Sequence, residues 1–409
     1  MSVVGTERGM STAGLGRTLR TVRDPLLLFA VPIAFALLLA FFGYGNSWPI
    51  GFDFHGTLWA PARALLDGAP IYPEPTRDSV LVGNPAVYPP VFILASMPLA
   101  LLPVGLASWL WFCLLGIGVF AALRILGVSD WRCYVIALTS PAVVHGLFYG
   151  NLTVLLVLPL ALAWRYRDRA HIVGLAVGVA VAAKLFVWPL VVWLLLTRRF
   201  RAALWATGSA AVLVLGAWAL IGFEGLADYP ALLRAVQDVY AVRSLSLSTV
   251  AGGLGASVSG AVVVAGVAGL ACLGVAAWLV GRPDGDRRAF AVVVAACIIA
   301  SPIVWPNYAA LLFVPIAVTW PRLSAAWFFG YVAWVVGAIA PRPEVSEVCC
   351  RPQSVPEQAW AWSHTEPVLW YAAGTMLVVG AVTLLVVCSD ARRVRAPLRS
   401  DRISTEGRA

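Results

Sequence analysis

Long apolar segments separated by short polar ones recur along the chain from residue 26 to residue 388. About 20 consecutive apolar residues suffice for a helix that crosses the hydrocarbon core of a bilayer. The pattern predicts spans at 26–44, 105–126, 133–149, 152–166, 201–221, 260–280, 288–304, 309–320, 324–340 and 367–388. The sequence therefore predicts an all-α polytopic membrane protein.

Two apolar segments depart from the simple pattern. Residues 89–103 are short and broken by proline, which predicts a re-entrant or interfacial segment. Residues 172–197 are too long for one span and carry Lys184 and Pro189 in the middle, which predicts a hairpin of two short helices. Broken helices at membrane depth line cavities, because their freed backbone groups need polar partners. Together with ten simple spans, the hairpin predicts about twelve transmembrane helices.

The apolar pattern leaves no room for a separate soluble domain. We expect a cytoplasmic tail at 1–25, one membrane domain at 26–388 and a second cytoplasmic tail at 389–409. The first apolar run is long enough to span and has no small-residue cleavage pattern after it, so we interpret it as an uncleaved helix.

Composition supports a membrane protein, since 61% of the 409 residues are hydrophobic and only 12% are charged. Soluble domains carry about 25% charged residues. The net charge is +9, from 29 basic residues of which a single one, Lys184, is lysine. The basic residues are scattered over short loops, which favours contact with anionic lipid over binding of nucleic acid.

Arginine clusters predict the orientation. They fall at 17–23, 165–169, 198–201, 282–288 and 392–395, on one side of the membrane when the spans alternate. Because basic loops stay in the cytoplasm, the long segments 45–87, 222–250 and 341–366 are expected outside. This orientation places on the outer side Asp53, His55, Tyr88, His145, Asn151, Lys184, Arg243, Asn307 and His364.

Asp53 follows the first predicted span and precedes an amphipathic segment at 58–66. A carboxylate desolvated by neighbouring aromatic rings has a raised pKa and can accept a proton from a substrate hydroxyl. An equally weighted alternative is that Asp53 only caps the helix that follows.

Lys184 lies in an apolar hairpin, where a charge is costly and usually functional, so we favour neutralisation of a lipid phosphate over snorkelling to the interface. Tyr88 precedes two prolines, and for it simple interfacial anchoring is the favoured interpretation. The segment SPIVWPNY at 301–308 offers rings and an amide that suit a sugar, or a kinked helix end.

No motif predicts a metal or cofactor. The seven cysteines lack zinc spacing, and the four histidines do not cluster in the sequence. Asp284 and Asp286 form a D-x-D pattern, but their loop is too short for a nucleotide-binding domain and is interpreted as a turn. Phosphate-binding loops and dinucleotide fingerprints are missing from the sequence.

An ordered series of weak motifs nevertheless resembles one known family. Asp53 and its aromatic neighbours are followed by A-R-A-L-L-x-G-x-x-I-Y-P at 62–73 and by Y-P-P-x-F from Tyr88. Gly-Asn-Leu-Thr at 150–153, A-A-K-L-F-x-x-P-L at 182–190 and S-P-x-x-W-x-x-Y at 301–308 come next. Over about residues 26–320 the chain resembles the bacterial polyprenyl-phosphate-mannose-dependent α-mannosyltransferases of glycosyltransferase family 87, which include enzymes of phosphatidylinositol mannoside synthesis.

The resemblance implies a GT-C membrane fold and an inverting transfer of mannose from polyprenyl-phosphate-mannose to a glycolipid or lipoglycan. It implies that Asp53 is the general base and that Lys184 and Arg243 hold the donor phosphate. The expected substrate contacts are His55, Tyr88, His145, Asn151, Trp305, Asn307 and Tyr308. Many relatives carry histidine where this chain has Asn307, and an asparagine cannot shuttle a proton at neutral pH; His55 or His145 would be the substitute.

The family also implies a place and partners. The site would face outward from the bacterial cytoplasmic membrane, with donor, glycolipid acceptor and membrane lipid as partners, and with neither cofactor nor metal. One alternative is a transporter or flippase of a lipid-linked sugar; another is the same enzyme type acting on polyprenyl-phosphate arabinofuranose. The absence of internal repeats and the concentration of polar residues on one side favour the enzyme.

Overall fold

The computed structural model describes residues 50–81, 84–241, 244–339 and 366–389. Within these ranges all regular secondary structure is helical and strands are absent. The predicted first span at 26–44, Arg243, His364 and most of the predicted outer segment 341–366 lie outside the described residues.

The first helices belong to the predicted outer segment 45–87 and to the apolar segment 89–103 that follows it. They are α1 (Phe52–Phe54), a π-helical turn (His55–Trp59), α2 (Ala60–Leu66), α3 (Arg77–Leu81), α4 (Pro90–Ala95) and α5 (Met97–Ala100).

The central part of the chain alternates long and short helices. These are α6 (Val104–Ile125), α7 (Trp131–Thr139), α8 (Pro141–Tyr149), a 3₁₀ helix (Leu152–Leu156), α9 (Val157–Arg165), α10 (Ala170–Ala183), a 3₁₀ turn (Leu185–Val187), α11 (Pro189–Leu196) and α12 (Phe200–Leu220).

The remaining helices complete the bundle. They are α13 (Tyr229–Tyr240), α14 (Leu247–Gly253), α15 (Val258–Val280), α16 (Gly285–Ile299), 3₁₀ helices at Pro306–Leu312 and Ala325–Phe328, α17 (Phe313–Thr319), α18 (Phe329–Ile339) and α19 (Glu366–Cys388).

Four helices of the described residues are long and apolar enough to cross a membrane: α6, α12, α15 and most of α19. They coincide with the predicted spans 105–126, 201–221, 260–280 and 367–388, which are thereby confirmed as helices. Five shorter apolar helical segments accompany them, at 152–165, 170–183, 185–196, 306–319 and 325–335. The protein is therefore a helical membrane protein, and the total of twelve crossings stays a prediction.

Several predicted spans are broken rather than continuous. The predicted span 133–149 is divided at Ser140, which has an extended backbone and whose hydroxyl caps α8. The predicted spans 152–166, 309–320 and 324–340 contain 3₁₀ turns. Apolar runs do not reveal these breaks, because an α-helix and a 3₁₀ helix bury similar side chains.

The long helices expose large apolar faces. Leu204 and Val212 of α12 are each 72% exposed, and Val263 of α15 is 63% exposed. Contiguous apolar surface of this kind is rare on soluble proteins, whereas it suits contact with lipid. In contrast, α16 is buried on nearly all sides and forms the centre of the bundle. A helix that is apolar all round belongs in such a core.

Helices α10 and α12 pack closely through Gly174 and Gly178. A Cβ atom at either glycine would lie 2.7 Å from a backbone carbonyl oxygen of α12, at Ala202 and Ala206 respectively. Small residues four apart let helix backbones approach in this way within membranes. The contact fixes α10 and hence the break at its end.

The predicted hairpin at 172–197 is confirmed as two short helices. Helix α10 ends at Ala183, Lys184 is extended with φ −148° and ψ 116°, and α11 begins at Pro189. The chain then returns to the level at which α10 begins, as shown by the distance of 3.4 Å between the Arg199 guanidinium and the Asp168 carboxylate. Lys184 therefore lies at one end of the hairpin and the arginines at the other.

At the arginine end, the D-x-D segment takes part in ion pairs. The Asp286 carboxylate accepts hydrogen bonds from Arg199 at 2.8 and 2.9 Å, from Arg167 at 3.2 Å and from the Trp193 indole at 3.0 Å. Asp284 lies in a left-handed turn, as the short loop predicts, and pairs with Arg287. These carboxylates thus fix the ends of helices.

Candidate active site

The Asp53 carboxylate is the centre of a polar cluster. Its Oδ1 accepts a hydrogen bond from the Asn84 amide at 2.8 Å, and its Oδ2 accepts one from the Asn151 amide at 2.6 Å. Each oxygen keeps a further acceptor position. Asp53 makes no side-chain hydrogen bond to a helix N-terminus in the described residues, since the N-cap of α1 is Gly51. The capping alternative for Asp53 therefore has no support in these contacts.

The segment that carries Asp53, predicted to lie outside, is attached to the end of α8. The backbone N–H of Gly51 donates to the Phe148 carbonyl at 2.8 Å, and the Trp111 indole donates to the Gly150 carbonyl at 2.8 Å. Gly150 has φ +70°, and a Cβ there would lie 2.7 Å from Phe54 Cβ. Both the turn and the close approach require glycine, which places Asn151 beside Asp53.

Lys184 joins the cluster from the broken hairpin. Its ammonium group donates to Thr153 Oγ1 at 2.7 Å and to Asn151 Oδ1 at 3.2 Å. Since Asn151 Oδ1 also accepts from the Thr153 backbone N–H, its amide nitrogen is directed to Asp53. One asparagine thus separates a buried cation from a carboxylate.

Two tyrosine rings enclose the ammonium group. The Lys184 nitrogen lies 4.8 Å from the centroid of the Tyr88 ring and 5.1 Å from that of Tyr308. Both distances are within the range of a cation–π contact. Phe186 packs on Tyr308 with ring centroids 4.7 Å apart. Lys184 is only 6% exposed, so it is buried in the protein rather than extended to the interface.

Burial raises the pKa of Asp53 above its ordinary value, and the amide of Asn151, the charge of Lys184 and the amide of Asn84 oppose that rise. Burial also raises the pKa of Tyr88, with the charge of Asp53 as the next cause. Both groups lie outside the candidate spans. Asp53 is therefore a stronger proton acceptor than an exposed aspartate, while Tyr88 remains protonated. A carboxylate of this kind is suited to general-base catalysis.

Five of the residues that the sequence singles out thus converge: Asp53, Tyr88, Asn151, Lys184 and Tyr308. Other candidates lie outside this hydrogen-bonded cluster. His55 is exposed and stacks on Trp59, with ring centroids 5.5 Å apart. His145 packs against Tyr149 on α8 at 4.5 Å.

The segment 301–308 divides between the cluster and its surroundings. Trp305 is half-buried and contacts Tyr240, with ring centroids 6.0 Å apart. Asn307 is completely buried, and both polar atoms of its amide lack a hydrogen-bond partner among the described residues. Tyr308 alone of the three contacts Lys184.

Sequence reasoning missed Asn84 and Thr153 as members of the site. Asn84 begins the segment that leads to Tyr88, and Thr153 is the last residue of the Gly-Asn-Leu-Thr motif. The signal for Thr153 was its spacing from Asn151, which resembles a glycosylation sequon by coincidence. Asn151 Oδ1 and Thr153 Oγ1 instead accept hydrogen bonds from the Lys184 ammonium group.

These features define a helical membrane protein in which a partly buried carboxylate, a buried amide and a buried lysine form a cluster at one end of its short helices. A sequence profile of glycosyltransferase family 87 matches residues 86–306, which is more than half of the chain. The chain belongs to glycosyltransferase family 87, and the family indicates glycosyltransferase activity. No curated protein and no solved structure matches it.

Proposed function

We propose that this protein transfers mannose from polyprenyl-phosphate-mannose to a glycolipid or lipoglycan acceptor on the outer face of the bacterial cytoplasmic membrane. An acceptor hydroxyl attacks the anomeric carbon while the bond from that carbon to the phosphate oxygen breaks. The β-linked donor gives an α-linked mannoside and free polyprenyl phosphate. Asp53 takes the proton of the acceptor hydroxyl.

The observation that carries the proposal is the pairing of Asp53 with Lys184 through Asn151. A carboxylate that keeps free acceptor positions suits the hydroxyl side of the reaction, and a buried cation suits the phosphate side. Holding them apart through Asn151 prevents the direct ion pair that would neutralise both. Tyr88 and Tyr308 enclose the cation, and they are proposed with Asn307 and Trp305 to line the sugar site.

An apolar groove supports a lipid-borne donor. It has a volume of about 410 Å³ and runs between α9 and α10, lined by apolar side chains that include Leu152, Ala183 and Ile172. Leu152 and Ala183 are the chain neighbours of Asn151 and Lys184. From Ala183 to Ile172 the groove follows α10 for ~16 Å at the rise of an α-helix. A polyprenyl chain in this groove brings its phosphate to Lys184.

The outward orientation is supported by the two ends of the hairpin. Lys184 lies at one end of α10, and Arg167, Arg199 and Asp286 lie at the other, 14 helical residues away. This length corresponds to ~21 Å. If the arginine end is cytoplasmic, as the positive-inside rule expects, the cluster of Asp53 lies near the opposite surface.

The test is a transfer assay in membranes with radiolabelled polyprenyl-phosphate-mannose and the membrane's own glycolipids. Asp53→Asn keeps the shape of the side chain and removes its basicity, so we expect transfer to fall by about 10²- to 10⁴-fold. The matched control is Asp67→Asn, because Asp67 is an exposed carboxylate of the same segment and its one ion pair among the described residues is with Arg63. It should retain activity.

Three outcomes contradict parts of the proposal. Transfer by Asp53→Asn at the wild-type rate excludes the general-base role. Transfer from polyprenyl-phosphate arabinofuranose but not from the mannosyl donor means that the sugar is wrong. Movement of the lipid-linked sugar across liposomes without formation of a mannoside would support a flippase. Family membership favours the transferase over that alternative.

A further inference from the structure

Two tyrosines outside the candidate site hold the backbone that carries Tyr88. The Tyr72 hydroxyl donates to the Tyr88 carbonyl at 2.7 Å, and the Tyr229 hydroxyl donates to the Val87 carbonyl at 3.0 Å. Two consecutive carbonyls of a loop are thus bound by side chains from two distant segments. Neither tyrosine contacts Asp53 or Lys184 in the contacts described above.

The two rings are themselves fixed. Tyr72 stacks on Trp218 with centroids 5.2 Å apart, and Tyr229 meets both Tyr72 and Trp218 at 5.5 Å. Trp218 is 1% exposed and lies near the end of α12, while Tyr229 begins α13. Gly225 covers Tyr72, since a Cβ there would lie 3.2 Å from the ring. The hydroxyls therefore cannot follow the Tyr88 loop if it moves.

Burial raises the pKa of both Tyr72 and Tyr229, so both hydroxyls remain protonated donors at every pH where a membrane protein is assayed. Aromatic packing alone would need only rings, and phenylalanine would satisfy it. The hydroxyls instead fix the position of the Tyr88 backbone.

We infer that Tyr72 and Tyr229 are positioning residues for glycosyl transfer, acting through Tyr88 on Lys184. The Tyr88 ring lies 4.8 Å from the Lys184 ammonium group, which in turn orients Asn151 and Asp53. The inference depends on the proposed function for the roles of Lys184 and Asp53. We call Tyr72, Tyr229 and Trp218 the tyrosine clamp.

The test compares Tyr72→Phe and Tyr229→Phe with Tyr134→Phe. The Tyr134 hydroxyl makes the same kind of bond, to the Val128 carbonyl at 2.8 Å, but on α7 and away from the cluster. Each substitution removes one hydrogen bond, which is partly buried at Tyr72 and Tyr229 and buried at Tyr134, and keeps the ring. We expect kcat to fall about three- to tenfold in each clamp variant, with the KM values for donor and acceptor within about twofold of wild type. Tyr134→Phe should lose similar thermal stability and keep its kcat.

A second readout needs no substrate. Lys184 is the chain's single lysine, so acetylation by acetic anhydride, followed by mass spectrometry of its peptide, reports on this one side chain. The clamp variants should acetylate Lys184 at least about fivefold faster than wild type, because the Tyr88 ring no longer covers it. Tyr134→Phe should react at the wild-type rate.

The two readouts separate the hypotheses. If wild-type membranes transfer no mannose, the donor is wrong, and the acetylation rates still decide the clamp. Wild-type acetylation rates in both clamp variants overturn the inference. A loss of activity that is confined to KM, or that Tyr134→Phe shows equally, also overturns it, because a merely structural hydrogen bond explains that result.

Discussion

The hydrogen bonds to Asp53 should control the pH dependence of transfer. Asn151→Ser removes the amide that donates to Asp53 Oδ2 at 2.6 Å, while the serine can still cap the following 3₁₀ helix. The reaction needs Asp53 ionised, so kcat/KM falls as the pH drops through the pKa of this carboxylate. Because the Asn151 amide lowers that pKa, its removal moves the acid limb of the profile to higher pH.

The size of the effect follows from the bond that is lost. A hydrogen bond to a charged group contributes about 1.5–3 kcal/mol, and one pH unit corresponds to about 1.36 kcal/mol. The acid limb should therefore move by about one to two pH units. Asn84→Ser removes the longer bond, at 2.8 Å, and should move it less. At neutral pH the result is a lower rate that an alkaline buffer partly restores.

The assay measures kcat/KM from about pH 5 to pH 9 in nanodiscs with saturating acceptor. Among the described residues, Lys184 is the charged group that faces Asp53, and the phenols of Tyr88 and Tyr308 are the titratable groups nearby. A change in the alkaline limb alone would report on one of these groups. Ser96→Ala is the control, because it removes buried hydrogen bonds to the Ile93 and Leu58 carbonyls without touching the carboxylate.

An acid limb that stays in place in Asn151→Ser, or that moves to lower pH, would refute the reasoning. So would an equal displacement in Ser96→Ala, because the cause would then be a general loosening of the helices around Asp53.

Three further predictions follow from single features. Burial raises the pKa of Asp53, so ionisation of this carboxyl destabilises the fold as the pH rises from the pKa of the unfolded chain through that of the folded protein. Asp53→Asn should accordingly raise Tm at pH 8 but not at pH 4. An equal change in Tm at both pH values would exclude this cause. Ala176→Phe fills the apolar groove and should raise the donor KM about tenfold for a long polyprenyl chain but not for a three-isoprene analogue. Val263→Phe, on a lipid-facing surface, should change neither KM value. Gly178→Ala places a methyl group against Ala206 and Ser209 and should lower the free energy of unfolding by about 1–3 kcal/mol in a thermal unfolding measurement. In the same measurement Gly208→Ala should be neutral or stabilising, because a methyl group there meets open space.

The candidate site could be predicted in part from the types of residue that interrupt apolar runs. Lys184 was recognisable because a charge in a hydrophobic hairpin needs a partner. Its partners could not be found in the same way, because Asn151 and Thr153 are common residues whose oxygen atoms meet Lys184 only after two helices have ended at the same level. Asn84 gave no signal, since an asparagine before a proline is ordinary in a loop.

The histidines differ from Lys184, because neither His55 nor His145 belongs to the hydrogen-bonded cluster, and their role as substrate contacts stays a prediction. His55 is two residues from Asp53, but positions two apart on a helix do not face each other, and the ring stacks on Trp59 instead. The long spans were predictable from length and apolarity. The breaks at Ser140 and in the segments 152–156 and 306–312 were not, because they depend on which backbone groups find partners in the folded bundle.

Those breaks explain why the polar residues converge. A helix that ends inside an apolar bundle leaves backbone groups that need hydrogen bonds. Asn151 satisfies the backbone N–H of Thr153 at one break and binds the side chain of Lys184 from another. Tyr308, in the 3₁₀ helix after a third break, covers the same ammonium group. The polar side chains that stabilise the broken helices are therefore the ones that surround Asp53, which couples the stability of this region to the geometry of the proposed general base.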